Sequence, residues 1–371
     1  MTASHVVQTP AVGLPTALAL TVLLLVLAAC SESPPEALHE RTRATPAWFD
    51  DAKLGIFIHW GPASVPAFAA GPALQPGELE RVLLHSDGRQ DLPYAEWYLY
   101  GLAQPGSPTA LHHSATYGDA PYQDFGPEYA RRVDEGWDPR AWADLFARMG
   151  ARYVVLVTKH HDGYTLWPSS VEHPHRTGWG APRDMVGELA AAVRERGMRF
   201  GTYYSTGLDW SFQLFAGGDL VRDMMLSAPG SQEYADYTYD HVVELIDRYR
   251  PEVLWADIGY PSKGRLYELL DYYFQKVPDG TVNDRWGEVD RLGEIADWPG
   301  AVPLMKLLGR WLTARADALA DDPARVGFKT AEYDSLAGIV PFKWEATRGL
   351  GGSFAFNAAD TAADRLASAQ L

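Results

Sequence analysis

The chain has 371 residues, of which 47% are hydrophobic and 22% charged. That is enough apolar material for one large core or two modest ones, and it argues against a disordered chain. The formal charge of −16, from 32 basic and 48 acidic residues, argues against binding a nucleic-acid backbone, which needs clustered Lys and Arg. Thirteen Trp, 19 Tyr and 13 Phe are a heavy aromatic load. Aromatics that line rather than fill a core are platforms for sugar rings and other flat ligands.

In chain order, residues 11–29 form an apolar run followed at once by Cys30, the only cysteine. Export is the simplest reading. Leu27-Ala28-Ala29-Cys30 resembles the bacterial lipobox, in which the signal is cleaved before a cysteine that then carries lipid. A single cysteine cannot close an internal disulfide, so an anchor explains it better than redox chemistry does. Residues 1–10 hold no Lys or Arg, only His5, which departs from an ordinary signal; a different start or a plain transmembrane anchor are the alternatives. Residues 31–46, rich in Ser, Pro, Glu and Thr, read as a flexible tether. The expectation is a signal over 1–30, a linker over 31–46 and one domain over 47–371, exported to the periplasm or cell surface and touching the membrane only through its anchor.

From Trp48 onward short β-rich runs alternate with amphipathic stretches. Residues 54–60, 153–159, 200–205, 253–255 and 281–283 read as strands, and Pro139–Met149, Asp184–Arg196, Gln232–Tyr249 and Arg265–Lys276 as helices. Such β-α repetition implies a parallel sheet. The strand runs finish in His59-Trp60-Gly61, Lys159-His160-His161-Asp162-Gly163, Tyr204-Ser205, Asp257 and Asn283-Asp284-Arg285-Trp286. Polar groups gathered at strand C-termini favour an α/β, (β/α)₈-like (TIM) barrel over an open doubly wound sheet. Glu288–Val326 breaks the rhythm as an insertion, helical over Leu304–Leu319; insertions on an active rim become lids. The last residues, a helix-like Thr361–Leu371, leave the strand count one or more short of eight, so a barrel incomplete at its C-terminus stays open.

Several groups could carry chemistry. Asp257 ends an apolar strand beside Trp255 and precedes a Gly/Pro turn, which is how a barrel presents a carboxylate to substrate; capping the helix that starts near Leu266 is the equal alternative. His160 and His161 would point to opposite faces of a strand, so only a bend lets both reach one ligand. With His59 and Asp162 they are metal-ligand types, but no helical His pair or Cys pair accompanies them, and hydrogen bonding to hydroxyls suits them better. His112-His113 reads as an exposed loop pair. Glu332 and Glu345 each follow a short strand-like run, and two carboxylates are the minimum machinery of most glycosidases.

Trp48-Phe49 through Phe57-Ile58-His59-Trp60-Gly61, Glu96-Trp97-Tyr98, Lys159-His160-His161-Asp162-Gly163-Tyr164, Tyr203-Tyr204-Ser205, Leu254-Trp255-Ala256-Asp257, Val282-Asn283-Asp284-Arg285-Trp286-Gly287 and Phe328-Lys329-Thr330-Ala331-Glu332-Tyr333 occur in the order seen in family 29 α-L-fucosidases, which the chain resembles over roughly 46–287 and 327–357. The resemblance implies a retaining, exo-acting hydrolase of terminal α-L-fucosyl residues, with Asp257 as nucleophile and Glu332 as acid/base. Glu345, in a Trp-Glu pair of the kind assigned that role in some members, is the reserve acid/base. His59, His160 and His161 match residues that hold fucose hydroxyls; Glu96, Trp97, Tyr204, Trp255, Arg285 and Phe354 match further pocket positions. No metal or other cofactor is implied, and the partner is a fucosylated glycan. Arg285 is expected to keep Asp257 ionised, and Glu332 to need a drier setting that keeps it protonated. The family's last strand and C-terminal β-sandwich have no counterpart in these residues, which keeps a second reading in play: a non-catalytic fucose-binding surface protein derived from a truncated fucosidase.

Overall fold

The computed structural model describes residues 45–71, 92–214, 223, 226–288, 290, 327–332 and 339–365. Cys30, the tether up to residue 44 and nearly all of the expected insertion lie outside them.

Seven strands run through the described residues: β1 (Gly55–Ile58), β2 (Tyr153–Lys159), β3 (Arg199–Ser205), β4 (Val253–Asp257), β5 (Thr281–Val282), β6 (Lys329–Glu332) and β7 (Trp344–Thr347). The first five form one sheet in chain order with every pair parallel, and β6 and β7 form a second parallel pair. The two join where Asn283 bridges Phe328 and the Phe328 N–H donates to Val282 O at 3.0 Å. The first five strands follow one another in chain order with helices between them, as the β-α repetition predicts for the wall of a (β/α)₈-type barrel.

All residues of β2 and β4 are buried, because a parallel sheet is covered on both faces and its strands read as continuous apolar runs. Alternation along each strand sorts side chains into two layers. Phe57, Val155, Val157, Tyr203, Val253 and Trp255 share the inner layer with Phe49, Ala52, Tyr153 and Phe328. Val154, Leu156, Phe200, Tyr204, Leu254 and Ala256 form the outer layer with the helices. The short helix α1 (Ala47–Ala52) closes the inner layer: Phe49 stacks on Phe328 with ring centroids 4.6 Å apart, and the Trp48 indole donates to Asp279 O at 2.8 Å.

The remaining α-helices are α2 (Tyr98–Leu102), α3 (Pro108–Tyr117), α4 (Phe125–Gly136), α5 (Pro139–Arg148), α6 (Met185–Glu195), α7 (Gln232–Tyr249) and α8 (Leu266–Lys276). Their starts are written in the sequence. Ser107, Asp138, Asp184 and Ser231 each accept a hydrogen bond from a backbone N–H of the first turn, and Pro108 and Pro139 open their helices where no N–H is needed. The end of α7 is set by Arg250 in the left-handed region, before Pro251. On α6, Met185, Val186, Leu189, Ala190, Ala192 and Val193 are buried against the sheet layer, where each Val or Leu contributes about 2 kcal/mol through removal from water.

Two expectations change. His112 and His113 are not in an exposed loop but on α3: His113 is buried between the Tyr98 hydroxyl (3.0 Å) and Ala120 O (2.8 Å), and His112 stacks on Phe68 at 3.8 Å. The Ser107-Pro108 start, two residues before a non-β-branched run, is the signal that marks this helix. Of the helix-like Thr361–Leu371, the described part holds only a single 3₁₀ turn, Ala362–Asp364.

Candidate active site

A cavity of about 1140 Å³ begins at the C-terminal ends of β1 to β4, where His59, His160, His161, Tyr203, Trp255 and Asp257 line it and Tyr94, Glu96, Trp97, Arg285, Glu332 and Phe354 border it from the loops and β6, and it continues past Trp60 to Tyr129 of α4 and Trp142 of α5. Asp257 is the last residue of β4, and its partner in register on β3 is Ser205, so both lie on the inner face. It does not cap α8, whose N-cap is Arg265 with no side-chain bond. Instead Oδ1 accepts from Arg285 Nη1 at 2.8 Å and from the Ile258 N–H at 3.0 Å, and Oδ2 accepts from the Tyr203 hydroxyl at 2.7 Å. Burial resists ionisation of this carboxyl, but Arg285, His161 and Tyr203 outweigh it and hold the group below the ordinary aspartate range. An ionised, buried, oriented carboxylate has the chemistry a nucleophile needs.

The second carboxylate stands on the same guanidinium. Arg285 Nη2 donates to Glu332 Oε2 at 2.6 Å, and the Tyr94 hydroxyl donates to Oε1 at 3.4 Å. Burial works against the charge on Arg285, yet Glu332 and Asp257 drive its pKa up further, so the cation is fixed between two acids. Glu332 is partly exposed and ion-paired, not in the drier setting expected of it. Glu345, the reserve acid/base, lies elsewhere. It is buried on β7 and absent from the cavity lining; its oxygens accept from the Tyr153 hydroxyl at 2.6 Å and the Trp255 indole at 3.1 Å.

Both histidines of the doublet reach the cavity because the chain bends, as their adjacency demands. The β2–β3 register shifts between Val157 and Lys159, and the Gly163 N–H closes a turn onto His160 O at 3.1 Å. Gly163 takes φ 79°, a conformation that favours glycine. Burial lowers His59 to about 3 and His161 to about 4, with Asp257 opposing in both cases, and burial with the neighbouring rings holds His160 well below its usual value. All three are therefore neutral at pH 7. For His161 the tautomer follows from its partner: Ser205 Oγ donates its proton to Leu208 O at 2.7 Å, so at 2.6 Å it can only accept from His161 Nδ1–H. The lone pair of Nε2, 3.8 Å from Asp257 Oδ2, is left facing the cavity as an acceptor. Among the described residues no three His, Cys, Asp or Glu side chains are arranged to hold a metal ion.

The aromatic wall comes from several elements. Phe354 stacks on His59 at 5.4 Å and on Tyr94 at 5.8 Å, and Trp97 meets His161 edge-on at 5.4 Å. Glu96 is buried beside them, accepts from the Ala355 N–H at 3.0 Å, and is pushed up to about 7 by burial. Tyr204 is the correction. It points to the outer layer, where its hydroxyl bonds His241 Nδ1 at 2.9 Å, while Tyr203, paired in register with Trp255, takes the cavity face. A one-residue slip in a strand moves a side chain to the other face, and two adjacent tyrosines hide the slip. Tyr94, Tyr203 and Ser205 are the site residues that sequence reading misses; the β3–β4 register would have found the last two.

Comparison with known proteins fits this geometry. The alpha-L-fucosidase family matches residues 26–371. The tissue alpha-L-fucosidase of Bos taurus is 34% identical over 269 residues, 70% of this chain and 51% of that protein, and the alpha-L-fucosidase of Dictyostelium discoideum is 33% identical over 280 residues, 72% of this chain and 54% of that one. The chain thus spans about half the length of the curated relatives it matches. Among solved structures, Thermotoga maritima alpha-fucosidase in complex with fucose is 38% identical with a TM-score of 0.67, covering 91% of this chain and 66% of its own; the same enzyme with a mechanism based inhibitor is 39% identical with a TM-score of 0.68, covering 90% and 65%. A cavity ringed by strand ends, an aspartate ionised by a forked arginine and a family match running through every strand together place this chain in the alpha-L-fucosidase family.

Proposed function

We propose that the chain is a retaining, exo-acting α-L-fucosidase that hydrolyses terminal α-L-fucosyl residues of glycoconjugates or polysaccharides. The observation that carries this reading is Arg285 holding both an ionised Asp257 and Glu332 at the mouth of one cavity. In the first step an Asp257 oxygen forms a bond to the anomeric carbon as the glycosidic C–O bond breaks, and Glu332 gives its proton to the departing oxygen. In the second, water attacks the same carbon, Glu332 takes the water's proton, and the bond to Asp257 breaks to release fucose. Two carboxylates sharing one guanidinium favour the close spacing of retaining enzymes over the wider gap that holds a water between the acids of inverting ones. Neutral His59, His160 and His161 suit sugar hydroxyls, and Phe354, Trp97 and Trp255 suit the apolar side carrying the C5 methyl of a 6-deoxy sugar.

The test uses aryl α-L-fucosides. Release of p-nitrophenol separates this reading from the non-catalytic fucose-binding alternative. Asp257→Gly should abolish turnover whatever the leaving group, with azide returning a fucosyl azide of inverted configuration. Glu332→Ala should retain fucosylation by substrates with good leaving groups and be rescued by azide in the second step. An Asp257→Gly variant that still hydrolyses fucosides would sink the assignment.

The chain is further proposed to be exported and acylated on Cys30, on the strength of Leu27-Ala28-Ala29-Cys30 and the tether behind it. Stable retention needs more than one acyl chain. Mass spectrometry of the membrane fraction decides: an unmodified peptide spanning Cys30 refutes it.

A further inference from the structure

We infer that Glu345 is a positioning residue for this reaction: from behind the cavity wall it fixes the Trp255 indole, which carries Arg285 and, through it, both catalytic carboxylates. The inference rests on the fucosidase reading but is carried by separate contacts. Glu345 is buried, does not line the cavity, and spends one oxygen on the Tyr153 hydroxyl at 2.6 Å and the other on the Trp255 N–H at 3.1 Å. An indole has one N–H, so this bond favours the side-chain rotamer that aims Nε1 at β7. The ring is held on its faces as well. Tyr203 stacks on it at 5.3 Å with planes 25° apart, and the Arg285 guanidinium lies over it, 4.9 Å from the ring centre. Arg285 and Tyr203 are also the two side chains that hydrogen-bond Asp257. The route from Glu345 to the nucleophile therefore passes through one ring.

The chemistry at Glu345 calls for a carboxylate. Two donors converge on it, and only an acceptor-only group satisfies both; an amide would turn its NH₂ toward one of them. A buried carboxylate is costly by itself: burial raises the Glu345 pKa, and the two donors and the field of Arg285 oppose that rise without cancelling it. The approach of Tyr153 is built in as well. Its register partner on β1 is Gly55, and any side chain there would collide with the Tyr153 ring.

The test reads Asp257 through two independent signals in E345A, E345Q and Y153F. The first is the acid limb of kcat/KM with an aryl fucoside. The second needs no turnover: protein labelled with 5-fluorotryptophan, in which the resonance lost in W255F identifies Trp255 among the 13 tryptophans, is titrated with acid. The titratable and charged groups facing Asp257 are Arg285, His161, His59 and Tyr203, and those facing Glu345 are Tyr153 and Arg285; because Glu345 itself bonds the labelled ring, the fluorine midpoint counted for Asp257 is the one that D257N abolishes. Loosening Arg285 removes what favours the ionised aspartate, so in E345A both the acid limb and the fluorine midpoint should move up by about one pH unit, with kcat/KM falling roughly tenfold. E345Q, keeping one acceptor, should fall between wild type and E345A, and Y153F should shift the same way by less. Unchanged midpoints in all three variants, or an E345A variant whose loss depends on the leaving group and is rescued by azide, would overturn the inference; the second outcome would make Glu345 the acid/base. If E345A does not fold, E345Q and Y153F carry the decision. A wild-type chain that hydrolyses no fucoside would defeat the catalytic reading alone, since the fluorine midpoints still report whether Glu345 governs Asp257.

Discussion

Arg285 serves two carboxylates whose needs oppose one another. By donating to Asp257 it favours the ionised carboxylate that the proposed first step needs; its other bond goes to Glu332, the proposed acid/base. Both proposed roles therefore depend on one guanidinium. Arg285→Lys tests this. A lysine is a point charge without the planar fork and cannot hold both acids at once. The expected outcome is a loss of roughly tenfold to a hundredfold in kcat/KM, with the acid limb moving up because Asp257 is less well held. The loss should be larger for natural glycosides than for aryl fucosides if the lysine settles on Glu332, and equal for both if it settles on Asp257.

At the scale of elements, the two faces of β3 separate catalysis from stability. Tyr203→Phe removes a 2.7 Å bond to the nucleophile and should raise the acid limb and lower kcat/KM about tenfold with little change in melting temperature. Tyr204→Phe removes a bond to His241 in the outer layer and should cost about 1 kcal/mol of stability while kcat/KM stays put; a reversed pattern would mean that the register of β3 is wrong. That register is also where sequence reading stops. Strands β1 to β5 and helices α5 to α8 were legible because helical periodicity and apolar runs such as Tyr153–Val157 are local signals; α1 to α4 and β7 were not named. Tyr203 against Tyr204 was not, because choosing between neighbours requires knowing which residue of β4 lies opposite. The convergence of His160 and His161 depends on a register shift that no single segment announces. Asp257, Arg285 and Glu332 could be named from motifs, but their sharing of one guanidinium, and the retreat of Glu345 behind Trp255, are products of tertiary packing between β4 and the β6–β7 pair.

At the scale of the whole molecule, burial of histidine makes folding sensitive to acid. His59 is lowered to about 3, His161 to about 4, His241 to about 3, and His160 lies well below its ordinary value, each chiefly because burial disfavours the cation. In the unfolded chain these rings titrate near 6.5. Below that pH the unfolded state binds protons that the folded state refuses, so their contribution is fully present above 6.5 and is lost as pH falls toward the folded values. Two carboxyls act in the opposite sense. Glu96, raised to about 7, and Asp162, raised to about 6, both by burial, hold protons in the fold that the unfolded chain has released, so their contribution is present at low pH and lost as pH rises through those values. Near pH 5.5 these histidines, together with His173 lowered to about 4, outnumber the carboxyls that burial raises, Glu345 included, so stability falls on acidification. The melting temperature should therefore drop steeply between pH 6.5 and 5. His241→Gln, remote from the cavity, should make that slope shallower by about one proton's worth, or about 1.4 kcal/mol per pH unit, even if it lowers stability at pH 7. A melting temperature that is flat or rises over this range, or a His241→Gln slope equal to wild type, would show that these rings do not stay neutral in the fold.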